Sequence, residues 1–218
     1  MTNCANCLFD RRLCRIPGAD HMEDCATLCH ASEARAALEV YCQAETHEFA
    51  AQAARQERSC YGDVPGRPGV HQPLKPRIVE VMEFCERMGY KKLGLAFCGG
   101  LHREANAVAE MFSARGFEVC SVMCKFGGVD KSRLGLTDDE KICGGGHESM
   151  CNPIGQALVL NQEKTEFNIL LGLCVGHDSL FLKHADALCT VLAVKDRLLG
   201  HNPLAAVYTS PSYYKYLR

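Results

Sequence analysis

From Arg77 onward the apolar residues alternate between two rhythms. Ile78, Val81, Met82 and Cys85 recur at helical spacing and stop at Gly89, a helix with a glycine end. Lys92–Phe97 is a short apolar run that closes at Cys98-Gly99-Gly100, the signature of a buried strand. Ala105, Val108, Ala109 and Phe112 mark one face of a helix over Arg103–Arg115, ended by Gly116. Phe117–Met123 is a second strand, closing at Cys124, and a polar, glycine-rich loop follows it. Asn152-Pro153 is an N-cap and first helical residue, opening a helix to about Gln162. Asn168–Leu173 and Leu188–Val194 are the third and fourth strands, ending at Cys174 and at Lys195-Asp196-Arg197.

Strands that alternate with helices of this length predict βαβ units. The expected fold is therefore α/β: a mostly parallel sheet with flanking helices, Rossmann-like and three-layered. Right-handed crossovers place the C-terminal ends of all its strands on one edge.

The first part of the chain reads differently. Residues 1–60 form a cysteine-rich head followed by helix. Ala31–Arg58 is rich in Ala, Glu, Gln and Arg, with Leu38, Tyr41, Cys42, Glu45 and Phe49 near one face. Tyr61–Pro76 carries Pro65, Pro68, Pro73, Pro76 and three glycines, and reads as an irregular linker. The expected division is a head and helix over 1–60, a linker over 61–76 and an α/β domain over 77–218.

A length of 218 residues, 47% of them hydrophobic, suits one substantial core with a small appendage. The net charge of −2 offers no electrostatic argument for nucleic acid or an anionic membrane. No apolar run reaches the ~18 residues of a membrane span, and MTNCANCLFDRR lacks the apolar core of a signal peptide. The expected location is the cytoplasm.

Cysteine changes the picture, with 15 in the chain. In a reducing compartment thiols stay free, so this count points to metal ligation or redox chemistry. Cys98, Cys124 and Cys174 fall at strand ends, and Cys151 precedes a helix that starts at the same edge. Open α/β sheets bind ligands there. Helix N-termini favour the thiolate, and glycine beside Cys98 lets backbone approach a bulky inorganic group. Soft ligands dispersed over separate strands suit an iron–sulfur cluster, with 4Fe-4S the expected type, better than zinc, which more often takes local pairs.

The head, Cys4-x2-Cys7-x6-Cys14-x10-Cys25-x3-Cys29, has the spacing of a structural metal site. Cys4, Cys7, Cys14 and Cys25 are the first choice of ligands, with Cys29 or His30 as alternates. Zinc would stabilise such a coreless segment, and an iron–sulfur cluster also fits. Cys42, Cys85, Cys120 and Cys189 read as small core residues. Cys143, beside three glycines, is a spare ligand or resolving thiol at most.

Polar residues gather near the quartet. His177 and Asp178 follow Cys174, with His177 a proton donor or extra ligand and Asp178 either its helper or a helix cap. Lys195 and Arg197 can hold an anionic substrate or pair locally with Asp196. His201 reads as structural. The glycine runs match neither a P-loop nor GxGxxG.

The stretches MGYKKLGLAFCGGL, GFEVCSVMCKFGG, ESMCNPIGQALVLNQEKTEFN, LLGLCVGHDSLF and VKDRLLGHNPLAAVY resemble a family of uncharacterised metal-binding proteins of archaea and anaerobic bacteria that carries a domain of unknown function. The resemblance runs from about Arg77 to Tyr208. It implies metal binding by Cys98, Cys124, Cys151 and Cys174 and by the head cysteines, with His177, Asp178, Lys195, Asp196 and His201 in its polar motifs.

Two functions compete. One is an iron–sulfur enzyme of oxidoreductase or desulfidase type, acting reductively or removing sulfur from a small molecule, with His177, Asp178 and Lys195 catalytic. The other is a non-catalytic zinc-binding, redox-sensing or electron-transfer protein working with a redox partner. A homo-oligomer is compatible with either.

Overall fold

The computed structural model describes residues 1–217. The chain forms two compact units, Met1–Ser59 and Cys60–Arg218. In the first, a short helix α1 (Ala26–Cys29) precedes α2 (Ala31–Tyr41) and α3 (Ala44–Ser59). The single helix expected over Ala31–Arg58 is thus broken at Cys42-Gln43. Cys42 caps α2 and is exposed, so it is not the core residue that its helical spacing implied. Leu38 and Tyr41 of the expected apolar stripe are exposed as well.

The second unit opens with a hairpin, β1 (Tyr61–Val64) and β2 (Arg67–Pro73), paired antiparallel. This corrects the irregular reading of Tyr61–Pro76. Pro65-Gly66 makes the turn, with Gly66 at φ +74°, and Pro73 lies at the ladder's end, where a missing N–H costs least.

Next come α4 (Arg77–Met88), β3 (Lys92–Phe97), α5 (His102–Ala114), β4 (Glu118–Met123), α6 (Pro153–Gln162), β5 (Phe167–Leu173), α7 (His177–His184), β6 (Cys189–Val194) and α8 (Leu204–Tyr208). Gly89 ends α4 in the left-handed region, and its N–H bonds back to the carbonyl of Glu86. The expected helices and strands of this region are present within a residue or two at each end.

β4, β3, β5 and β6 form one parallel sheet in that order. The chain runs from β3 outward to β4, then crosses back to lay β5 on the other side of β3. That reversal makes a topological switch point between the C-terminal ends of β3 and β5. β3 and β5 are the central strands and are buried nearly throughout.

α6 and α7 pack together over one face, where Ala96, Val122, Ala157, Leu160, Leu170, Leu173 and Phe181 form a core that also contains Cys124. Cys120 and Cys189 lie on the outer strands β4 and β6 and are only partly buried, whereas Cys85 is fully buried. No helix among the described residues is long and apolar enough to cross a membrane.

Candidate thiol centre

Strand parity places the first two thiols. Ala96 pairs with Val122 across β3 and β4, and both face the core under α6. Side chains return to the same face every second residue, so Cys98 and Cys124 continue that face just beyond the strand ends. The bonds that close the last ladder pairs fix both backbones: the Cys124 N–H donates to the Phe97 carbonyl at 2.9 Å, and the Cys98 N–H donates to the Leu171 carbonyl at 3.1 Å.

Cys151 arrives from the opposite direction. The excursion between β4 and α6 is folded back by ion pairs of Asp130 with Lys141 and of Lys131 with Glu148, and by the contact of Asp130 with the His147 ring. The Met150 N–H donates to the Val129 carbonyl at 2.7 Å, and the Asn152 N–H to the Cys124 carbonyl at 2.7 Å. Asn152 then caps α6 through its side-chain oxygen, which accepts from the Gly155 N–H at 2.9 Å, with Pro153 in the first turn. Cys151 therefore lies beside Cys124 because the cap that starts α6 is anchored on the end of β4.

Gln156, one turn into α6, ties the two strands that carry Cys98 and Cys124. Its Nε2 donates to the carbonyls of Val122 at 2.6 Å and Phe97 at 3.2 Å, and the side chain is fully buried. On the other central strand Gly172 takes φ +66°, and a Cβ there would fall 2.1 Å from Leu101. Only glycine fits this bulge, which precedes Cys174.

The thiols share protons and meet cations. Cys98 is held down to about 4, foremost by its hydrogen bond with Cys124, with the Gly100 N–H and Lys195 adding to it against burial. Cys151 is held down to about 5, again foremost by Cys124, with Lys125 and His177 adding. Cys124 is pushed far up by these same two neighbours and by burial, although the Gly99 N–H donates to its sulfur at 3.3 Å. Cys124 thus sits between two thiols that its contact pushes toward the thiolate. Cys174 completes the edge, and the Arg197 Nη2 donates to its sulfur at 3.0 Å.

His177 lies at the start of α7 near Cys151, with its Nδ1 buried and without a hydrogen-bond partner. Asp178 is turned to its own helix, its Oδ1 accepting from the Ser179 N–H at 2.8 Å. His201 braces the turn after β6: its N–H donates to the Asp196 carbonyl, and its Nδ1 accepts from the Asp196 N–H. Lys125 and Gln156 were not singled out by sequence. Lys125 directly follows Cys124, and Gln156 interrupts an apolar helical stretch; these are the signals that mark them.

The head cysteines Cys4, Cys7, Cys14, Cys25 and Cys29 are exposed or half-buried thiols. Cys4 starts a short 3-10 turn, Cys25 precedes α1, and the Cys29 Sγ donates to the Glu23 carbonyl at 3.8 Å. Among the described residues, no three His, Cys, Asp or Glu side chains are drawn together closely enough to hold a metal ion.

A family model described as a protein of unknown function (DUF1847) matches residues 25–192. That span includes Cys98, Cys124, Cys151, Cys174 and His177, and ends before Lys195 and Arg197. A protein of Methanocaldococcus jannaschii named "Uncharacterized protein MJ0455" is similar too. It is 50% identical over 135 residues, which cover 62% of this chain and 68% of the relative.

Proposed function

The chain belongs to the DUF1847 family, and from its own residues we propose that it is a soft-metal protein whose centre is an iron–sulfur cluster held by Cys98, Cys124, Cys151 and Cys174. One observation carries this reading: four thiols from four separate segments reach the C-terminal edge of one parallel sheet, with Cys124 in contact with both Cys98 and Cys151. Thiolates are the ligand form, and the surroundings of Cys98 and Cys151 both favour it. The donor set is all sulfur, which fits iron–sulfur or zinc and excludes hard cations.

Capture is coupled to closure. The donors do not yet converge on a common point, so metal must draw Cys174 and the trio together. When bound, a cluster supplies single electrons or an open iron position for a small-molecule substrate. Around it, Lys195, Lys125 and Arg197 offset the charge of the thiolates and orient an anionic group. His177, with its buried, unpartnered Nδ1 near Cys151, is the group placed to exchange a proton with the substrate. Reductive or sulfur-removing chemistry on a small anion is the reaction class this arrangement supports.

The test is iron, zinc and acid-labile sulfide per chain, with a visible spectrum, on protein purified under strict anoxia. The expected result is brown protein with iron and sulfide near four each, as a 4Fe-4S cluster requires, and loss of most of the colour in Cys174→Ser. Zinc without sulfide would replace the cluster with a structural zinc centre. Colourless, metal-free protein would overturn the reading.

A further inference from the structure

In the metal-free protein, we infer that Cys98 and Cys124 are a reversible disulfide pair that a peroxide closes, with Cys151 the neighbouring thiol able to exchange with it. The geometry begins with the strands. Ala96 and Phe97 pair with Val122 and Met123, and the next residues in that register are Cys98 and Cys124. The Cys124 N–H bonds to the Phe97 carbonyl and closes the Phe97–Met123 pair, so Cys98 and Cys124 leave the strands side by side, with their thiols hydrogen-bonded to each other.

Neighbouring strands lie about 4.8 Å apart. This falls within the roughly 4.4–6.8 Å between Cα atoms that a disulfide spans. Both side chains continue the same sheet face, so their sulfurs point to the same side. The Cys124 sulfur already accepts a bond from the Gly99 N–H, the backbone just after Cys98, at 3.3 Å.

The two partners differ in access. Cys124 is 3% exposed, whereas Cys98 is half-buried and lies beside Lys195, so Cys98 is the sulfur an oxidant reaches first. The Cys98 sulfur attacks one peroxide oxygen; the O–O bond breaks, leaving Cys98 as sulfenic acid and releasing the other oxygen as water. The Cys124 sulfur then attacks the Cys98 sulfur, the S–S bond forms, and the sulfenic oxygen leaves as a second water carrying the Cys124 proton. Overall, two thiols and one hydrogen peroxide give one disulfide and two waters. A dithiol reductant reverses the step.

A bond across adjacent strands sits in constrained geometry and is easily reduced, which suits a reversible modification rather than a structural staple. Its formation removes two of the four donors. Oxidation and metal occupancy then exclude each other, a consequence that rests on the metal-centre reading above, whereas the bond itself does not.

The full-length protein is purified anoxically, stripped with a chelator, and titrated with hydrogen peroxide. Free thiols are then alkylated and bridged peptides mapped by mass spectrometry. The first bridge formed is expected to be Cys98–Cys124, with two thiols lost per peroxide consumed and full recovery by dithiothreitol. It persists in Cys151→Ser and is absent in Cys98→Ser. A first bridge within the head, or sulfinic acid at Cys98 with Cys124 still free, overturns the inference on wild-type protein alone. A parallel sample reconstituted with iron and sulfide is expected to oxidise at least tenfold more slowly. Failure to take up metal with the bridge intact would sink the cluster reading only, and metal uptake without the bridge would sink this one only.

Discussion

Thiols in one chain differ in reactivity because each answers to its own neighbours. Cys98 is held down to about 4, chiefly by its bond with Cys124, and Cys85 is pushed up to about 12, chiefly by burial with Glu86 adding. A depressed thiol contributes stability that is present above its ordinary value of 9.0 and is lost as pH falls through about 4. A raised thiol does the opposite: its contribution is present below 9.0 and is lost as pH rises through about 12. Metal-free protein at pH 6.5 is therefore expected to take up iodoacetamide at Cys98 and leave Cys85 unlabelled. The Cys98 rate should stay nearly flat from pH 9 down to about 5. Site-resolved mass spectrometry checks this, and a Cys98 rate that climbs tenfold per pH unit, as an ordinary thiol's does, would refute the thiolate assignment.

At the scale of elements, the cap of α6 and the side chain of Gln156 join what the strands bring near. Gln156→Met keeps volume but removes both hydrogen bonds to the ends of β3 and β4. Loss of these bonds from buried carbonyls is expected to cost about 1–3 kcal/mol, read from urea unfolding, with weaker metal retention than wild type. Unchanged stability and unchanged retention would show that Gln156 does not brace the centre. The strands were legible in the sequence because β3 and β5 are continuous apolar runs, and α4 because Gly89 stops it. That Cys98, Cys124 and Cys174 follow strands and Cys151 precedes a helix was legible because strand ends and a helix cap fix position along the chain. What hid were features set by contact rather than by period. The break at Cys42-Gln43 lies within a run of good helix formers. The hairpin of β1 and β2 hid among prolines that its ladder tolerates. Gln156 and Lys125 acquire their roles only when α6 and the loop after β4 fold onto the sheet.

For the molecule as a whole, the proposed metal centre would tie its occupancy to the stability of the α/β unit. Cys98, Cys124 and Cys174 follow β3, β4 and β5, and Cys151 precedes α6, so a metal bound by all four would stitch together elements that are distant in sequence. The open arrangement of donors means that the unbound state lacks this stitch. A ligand that binds only the folded state adds about 4 kcal/mol at a thousandfold excess over its Kd. For a domain of this size each kcal/mol moves Tm by roughly 2–4 °C, so occupancy is expected to raise Tm by about 8–16 °C. Anoxic calorimetry before and after chelation reads that shift, and Cys174→Ser should lose most of it while the chelated wild type and the chelated variant melt close together. Separate sites make separate forecasts: if metal resided only in the head, Cys4→Ser would abolish the shift and Cys174→Ser would leave it intact. That pattern would move the centre from the sheet edge to the first unit, because stability follows the elements a metal holds together.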